Sequence, residues 1–249
     1  MKKQLKAVVL AAGKVTRLQT EGCDLPKVMR VAFRRPLLGW VLDAISFINK
    51  EDIIIVAGYK REDVMAQFPG YTYALQEEQL GTGHAVMSAE GQLRDFNGSV
   101  LVCYGDMPLL TRATYETLVS AHHEGKNDCT ILSGRSDERL PYGRIVRDEN
   151  GGFLKIVEDK DCTAEEKAIN ELNTGLYMFE AEKLLPALKK LKNNNSQGEY
   201  YLTDVPAILK AKGSAIGICT LELGSEIIGV NTVEQLMQAE DILRRRDAC

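Results

Sequence analysis

The fold this sequence predicts is a doubly wound, mostly parallel α/β sheet carrying a smaller mixed α+β lobe, and three observations point to it. Short β-branched runs alternate with amphipathic helical stretches up to about residue 140, the pattern of a parallel sheet covered by helices on both faces. The first run, Ala7-Val8-Val9-Leu10, is apolar throughout, as a strand buried on both faces must be. Beyond about residue 140 the rhythm changes to a hairpin, an apolar strand and further helices, which extend the same sheet.

Strands are predicted at 6–10, 52–57, 72–75, 99–103 and 129–132, with helices at 36–48, 61–67, 83–93 and 112–124 between them. Thr111 precedes the last of these helices as an N-cap. The runs 144–147 and 153–157 flank Asp148-Glu149-Asn150-Gly151-Gly152, a strong turn signal, and so form a hairpin. A strand at 173–179, helices at 180–192 and 202–211, a strand at 215–221 and a charged helix at 232–246 complete the chain. No linker-like stretch separates the halves, because 193–198 is too short. A single domain over 1–249 is expected, with parts at 1–140, 141–228 and 229–249.

Composition bounds the function. The 249 residues are 45% apolar and 27% charged, ordinary for a globular chain able to bury a large core. The formal charge of −4 carries no basic excess, so a nucleic-acid partner is not expected. No stretch reaches the roughly 18 apolar residues of a membrane span, and the N-terminus lacks a convincing signal peptide. Six scattered cysteines have no Cys-x-x-Cys spacing, which favours reduced thiols and a cytoplasmic location.

Four segments carry chemistry. The first strand runs into Ala11-Ala12-Gly13, which brings bare backbone N–H groups to the strand's carboxyl end, and Arg17 and Lys27 then supply positive charge. That loop suits a polyphosphate; the alternative is an ordinary strand-to-helix turn with two solvated cations. In Gln76-Glu77-Glu78-Gln79-Leu80-Gly81-Thr82-Gly83-His84, the Gln76 amide suits a base edge, while Gly81 and Thr82 admit a flat ring, unless the glycines merely start a helix.

Tyr104-Gly105-Asp106 ends an apolar strand in a carboxylate, placed either for Mg²⁺ or to cap a turn. Asn231, after Ile227-Ile228-Gly229-Val230, offers an amide oxygen as a second ligand or serves as the N-cap of the last helix. The fourth group, Tyr142-Gly143-Arg144, Glu158, Asn173-Thr174-Gly175 and Gln197 to Asp204, suits a wall for sugar hydroxyls.

In this order the motifs resemble the sugar-1-phosphate nucleotidyltransferases, closest to the uridyltransferase domain of the bifunctional N-acetylglucosamine-1-phosphate uridyltransferases. The resemblance covers nearly the whole chain and implies a Rossmann-like fold of the nucleotide-diphospho-sugar transferase type. It implies UTP and a sugar 1-phosphate as substrates and Mg²⁺ as cofactor. Leu10, Ala11, Ala12, Gly13, Gln76, Gly81 and Thr82 would take the nucleotide. Tyr104, Gly143, Glu158, Asn173 and Thr203 would take the sugar phosphate. Arg17, Lys27 and Asp106 would be catalytic, and Asp106 with Asn231 would hold the metal. The nucleophile would be a phosphate oxygen, already anionic near neutral pH, so His84, His122 and His123 need no catalytic role. Another sugar phosphate or NTP, or a weakly active sugar-nucleotide binder, are the competing functions. A dinucleotide-dependent dehydrogenase is disfavoured, since Phe33-Arg34-Arg35-Pro36 stands where a ribose-binding acid would be needed.

Three departures from the family pattern cluster at the nucleotide loop. Val15 replaces a usual glycine, a β-branched residue whose strain there would cost ~1–3 kcal/mol, so Val15→Gly is expected to raise kcat/KM for UTP. The gap 18–25 is longer than usual, and 31–36 lacks the glycine expected before the Pro-led helix. The chain stops at Cys249, where the bifunctional proteins continue into an acetyltransferase β-helix, so no acetyltransferase activity is expected, and the oligomeric state is left open.

Overall fold

A computed structural model describes residues 4–13 and 25–247. Val15, Arg17, Cys23, Cys249 and all of the 18–25 gap except Leu25 lie outside the described residues.

Strand β1 (Leu5–Leu10) leads to a two-stranded ribbon, β2 (Val31–Ala32) and β3 (Arg35–Pro36), and then to helix α1 (Leu37–Ala44). Strand β4 (Ile53–Ala57), helix α2 (Arg61–Gln67) and strand β5 (Thr72–Leu75) follow. Helices α3 (Thr82–Met87) and α4 (Glu90–Leu93) precede β6 (Ser99–Tyr104), α5 (Arg112–Gly125) and β7 (Cys129–Arg135). The hairpin β8 (Arg144–Arg147) and β9 (Phe153–Val157) and the short α6 (Ala164–Lys167) lead to the long β10 (Glu171–Glu180). Helices α7 (Ala181–Leu188) and α8 (Val205–Lys210), strand β11 (Ile216–Leu221) and helix α9 (Val233–Asp247) end the chain.

The main sheet runs β11-β7-β10-β6-β1-β4-β5, with β8 added to β10 and β9 to β8. β1 lies parallel to both β4 and β6, whereas β10 runs antiparallel to β6 and β7. From β1 the chain moves outward to β4 and β5 and then returns to place β6 on β1's other side. That reversal opens a crevice at the carboxyl ends of β1 and β6, where open α/β sheets take their ligands. Alternation along β1 feeds two cores: Val8 packs with Ile54, Val102 and Tyr177 on one face, and Ala7 and Val9 with Ile55, Cys103 and Met178 on the other. A third cluster (Ala32, Leu37, Leu109, Val230, Ala239, Leu243) seats α9 against the β2–β3 ribbon.

Several boundaries differ from expectation. The helix expected at 83–93 breaks into α3 and α4 at Ser88-Ala89, and the one at 180–192 ends at Leu188, shortly after Pro186. The missing glycine at 31–36 has a structural counterpart: Phe33 (φ 45°) and Arg34 (φ 66°) both adopt left-handed backbone as the tip of the β2–β3 ribbon. Phe33 stacks on Trp40 at 6.5 Å between ring centroids, which offsets part of the strain. Helix α6 was not anticipated, although Thr163 and Glu166 form a capping box readable in the sequence. Among the described residues the four cysteines are free, and no helix is long and apolar enough to cross a membrane.

Candidate active site

The crevice at the sheet's carboxyl end deepens into a cleft of about 770 Å³ between the main sheet, the β8–β9 hairpin and the segment before α9. Of the expected site residues, Lys27, Thr82, Tyr104, Asp106, Gly143, Glu158, Asn173 and Asn231 line it.

Asp106 sits just beyond β6, and Lys27 opens a single 3₁₀ turn after Pro26. The Lys27 ammonium donates to Asp106 Oδ2 and, at 2.7 Å, to Asn231 Oδ1. Val230 N–H donates to the Asp106 carbonyl (2.9 Å) and pins the segment carrying Asn231 against β6. The N-cap alternative for Asn231 does not hold. Gln235 Oε1 accepts from the backbone N–H groups of Asn231 (2.8 Å) and Thr232 (3.1 Å), and Thr232 Oγ1 accepts from Gln235 N–H. Thr232 and Gln235 therefore cap α9 and leave the Asn231 amide to the cleft. That Thr-x-x-Gln spacing was a readable signal that the sequence reading passed over.

On the nucleotide side the placement is mixed. Ala11 N–H is not bare, because it donates to Val56 O (2.9 Å). Leu10, Ala11 and Ala12 are buried and do not line the cleft, while Gly13 is exposed at its edge of the described residues. Gly58 was missed: a Cβ there would lie 2.9 Å from Ala12 Cβ and 3.0 Å from Gln76 O, so glycine lets the β1 and β5 ends approach. Gln76 is buried, with Nε2 donating to Gly81 O (3.2 Å) and 3.1 Å from His84 Nδ1, so its donor end is turned into the protein. Gly81 (φ +112°) lies against Tyr200, whose carbonyl and amide a Cβ would meet at 2.7 and 2.8 Å. Thr82 Oγ1 accepts from Leu202 N–H at 3.0 Å.

On the sugar side, Asn173 N–H donates to Gly143 O (2.8 Å), which joins β10 to the approach of β8. Tyr142, next to Gly143, hydrogen-bonds through its hydroxyl to Ile227 O (2.9 Å) and Gly229 N–H (2.8 Å) and ties this wall to the Asn231 segment. Thr203 is buried and does not line the cleft; its hydroxyl donates to Glu158 Oε1 at 2.9 Å. Burial pushes the Glu158 carboxyl above its ordinary range, the Thr203 bond opposes this, and Asp161, Asp204 and Glu199 add to the rise. Tyr104 packs against Gly175, and burial first, then Glu158, raises its phenol.

Arg17 and Lys27 are expected to form a cationic rim for the phosphates, and of these Lys27 lines the cleft. Among the described lining residues two ammonium groups, Lys27 and Lys160, face four carboxylates, Asp106, Glu158, Asp159 and Glu199. Arg17, expected to contribute to that rim, lies outside the described residues.

The sequence and the fold match known proteins. The profile of the family described as MobA-like NTP transferase domain matches residues 7–205. The bifunctional protein GlmU of Clostridium novyi is 46% identical over 242 residues, covering 96% of this chain and 52% of its own length. GlmU of Alkaliphilus metalliredigens is 42% identical over 244 residues (98% and 53%), and that of Streptococcus thermophilus 44% over 241 (96% and 52%). The chain thus spans about half the length of the curated relatives it matches. A Bacillus anthracis crystal structure described as a glucose-1-phosphate thymidylyltransferase in complex with a sucrose superposes with a TM-score of 0.76, covering 96% of this chain and 95% of the other. At 20% identity that likeness speaks to the fold alone.

Proposed function

Because the chain belongs to the family of MobA-like NTP transferase domains, we propose that it transfers uridylyl from UTP to N-acetylglucosamine 1-phosphate, giving UDP-N-acetylglucosamine and pyrophosphate. A phosphate oxygen of the sugar attacks the α-phosphorus, the new P–O bond forms, and the bond to the bridging α–β oxygen breaks as pyrophosphate leaves. No proton has to be removed from the nucleophile, so the protein's task is alignment and relief of charge repulsion.

The convergence of Lys27, Asp106 and Asn231 carries this reading. An acid and an amide from distant parts of the chain already aim their oxygens at one cation, the Lys27 ammonium. Both are hard oxygen donors, and with phosphate oxygens completing the shell they fit Mg²⁺. Asp106 and Asn231 would hold that ion. When bound it neutralises charge on the phosphates, which a cleft lined by more acids than bases needs. Lys27 would then turn to a phosphate oxygen, and Arg17 is assigned to the same triphosphate. Glu158 and Asn173 would hold the sugar and Gly143 its phosphate-bearing edge, while Thr203 would act by holding Glu158. On the nucleotide side, Gly13, Gly81 and Thr82 would face the uridine, with Gln76 and Leu10 to Ala12 supporting them from beneath.

The test is pyrophosphate release from a panel of NTPs and sugar 1-phosphates. UTP with N-acetylglucosamine 1-phosphate is expected to give the highest kcat/KM. A different best pair replaces the assigned substrates. Tight UDP-sugar binding by calorimetry with negligible turnover replaces the enzyme by a sugar-nucleotide binder.

A further inference from the structure

We propose that Tyr177 is a positioning residue for the sugar-phosphate subsite: it locks the Asn173 amide so that the NH₂ end faces the cleft, and the subsite therefore selects a hydrogen-bond acceptor on the sugar phosphate. The inference rests on the function proposed above and deepens it.

Asn173 lies where strand β10 departs from regular pairing. Its register with β7 shifts between Asn173 and Tyr177, and Gly175 takes φ +81°. Side chains stitch this irregularity. Thr174 Oγ1 donates to Leu132 O (2.8 Å) and accepts from Leu176 N–H (3.3 Å). Asn173 Oδ1 accepts from Gly175 N–H (3.3 Å) and from the Tyr177 hydroxyl (3.0 Å). A backbone N–H can only donate, so the amide atom it faces is the oxygen. Tyr177 is 0% exposed. Burial, then Tyr104 and Glu158, raises its phenol well above the ordinary value, which keeps it protonated as a donor.

With the oxygen engaged inside the protein, the remaining end of the amide is two N–H donors. Asn173 lines the cleft beside Gly143 and Glu158, and its Nδ2 makes no hydrogen bond among the described residues. The subsite thus offers donors at this position, matched by an oxygen of the sugar: a ring hydroxyl, a phosphate oxygen or the carbonyl of an acetamido group. The backbone of Asn173 is held independently, by its N–H on Gly143 O at 2.8 Å. Loss of the Tyr177 hydroxyl therefore releases the amide to rotate and leaves the strand in place.

The test measures KM for each substrate in Tyr177→Phe, Asn173→Asp and the double variant, with the sugar phosphate that the wild-type chain uses best. Tyr177→Phe is expected to raise KM for the sugar phosphate roughly tenfold, the ratio about 1.4 kcal/mol produces, with KM for UTP unchanged. Asn173→Asp keeps both inner hydrogen bonds but offers only acceptor oxygens to the cleft, so it should bind the sugar phosphate no better than Asn173→Ala. The double variant should be no worse than Asn173→Asp alone.

Comparing N-acetylglucosamine 1-phosphate with glucose 1-phosphate separates the sources. A penalty confined to the former assigns the acceptor to the acetamido carbonyl, and an equal penalty assigns it to a shared hydroxyl or the phosphate. Unchanged KM for the sugar phosphate in Tyr177→Phe, an equal rise in KM for UTP and the sugar phosphate, or an Asp variant that keeps sugar affinity overturns the proposal. If Tyr177→Phe fails to fold, the Asp-against-Ala comparison still decides. A wild-type chain that prefers another sugar phosphate overturns the proposed substrate instead, and the KM split is then read with the preferred one.

Discussion

Asn231 accepts from the Lys27 ammonium at 2.7 Å while its own backbone N–H is taken by Gln235, so the first turn of the last helix fixes the residue just before it and leaves that side chain reaching into the cleft. The same ammonium bonds Asp106, and the Asp106 carbonyl receives Val230 N–H. Two segments far apart in sequence thus converge through one backbone bond and one lysine. The reversal of strand order beside β1 makes this possible, since it leaves the β6 end open to whatever packs over it.

Lys27 takes the Asp106 and Asn231 oxygens that a divalent ion would use under the proposed function. Lys27→Met is expected to tighten Mn²⁺ binding in the absence of substrates by about an order of magnitude and to lower kcat by about 10²-fold. Asp106→Ala should abolish Mn²⁺ binding and cost at least as much turnover, with the thermal unfolding midpoint nearly unchanged. Electron paramagnetic resonance titration of Mn²⁺ reads the first effect without turnover. Weaker Mn²⁺ binding in Lys27→Met would show that the lysine organises the ligands rather than competing for them.

Glu158 carries a pH prediction whose sign is set by its surroundings. Burial raises its carboxyl above the unfolded value, so its stability contribution is present below that value and is lost as pH rises through the raised one. Glu158→Gln should therefore stabilise the fold near neutral pH by ~1 kcal/mol, about 2–4 °C in Tm, with the gain fading on acidification. Thr203→Val removes the bond that opposes the rise, and it should move the acidic limb of kcat/KM for the sugar phosphate to higher pH. Thermal scans and pH–rate profiles check these, and a limb displaced downward would contradict the assignment.

How much of this was legible in the sequence depends on the range of the interactions. The β8–β9 hairpin was readable because its turn signal is local, and β1 because burial on both faces leaves an uninterrupted apolar run. Helix ends were misjudged at local breaks, as between α3 and α4, where the Ser88 hydroxyl turns back to donate to His84 O (3.1 Å). Lys27, Asp106, Glu158, Asn173 and Asn231, named from the sequence by type and order, line the cleft. The orientation of site side chains was not legible, because it is set by hydrogen-bond partners that residue type and order do not reveal, nearby in the chain for Gln76 with His84 and Asn173 with Tyr177, and far off for Thr203 with Glu158. The β2–β3 ribbon carries no glycine signal at its tip, because Phe33 and Arg34 take the positive φ there themselves, a choice the Phe33–Trp40 stack supports.

Gly81 holds a prediction that separates packing from ligand contact. Its φ of +112° and the Tyr200 backbone, 2.7 Å from where a Cβ would stand, both oppose any side chain. Gly81→Ala is expected to destabilise the fold by ~1–3 kcal/mol and to displace the 199–202 segment. KM for both substrates should rise, because Thr82 is tied to Leu202 and Glu199 lines the cleft. Full stability with a rise in KM for UTP alone would instead assign Gly81 to the nucleotide only.

Arg147 and Glu171 give the last prediction, away from the cleft. Arg147 donates through Nε and Nη2 to the two Glu171 oxygens at 2.7 Å each, and Ser133 and Thr220 add bonds at 2.7 and 3.0 Å. Strands β7, β8, β10 and β11 meet at this one carboxylate. Burial alone would raise the Glu171 carboxyl, but the bonds from Arg147, Ser133 and Thr220 outweigh it and leave it below the ordinary value. A depressed carboxyl contributes stability above its unfolded value and loses it as pH falls through the native one. In Arg147→Met the largest opposing bond is gone and the carboxyl moves upward. The variant should be about 1–2 kcal/mol less stable at neutral pH, a modest loss because the partly exposed Arg147 is screened by water. The deficit should shrink as the pH is lowered from about 7 to about 4, since protonation removes what the arginine stabilises. Parallel thermal unfolding of both proteins across that range measures it, and a deficit constant with pH would mean that Arg147 contributes by packing its aliphatic stem rather than by its charge.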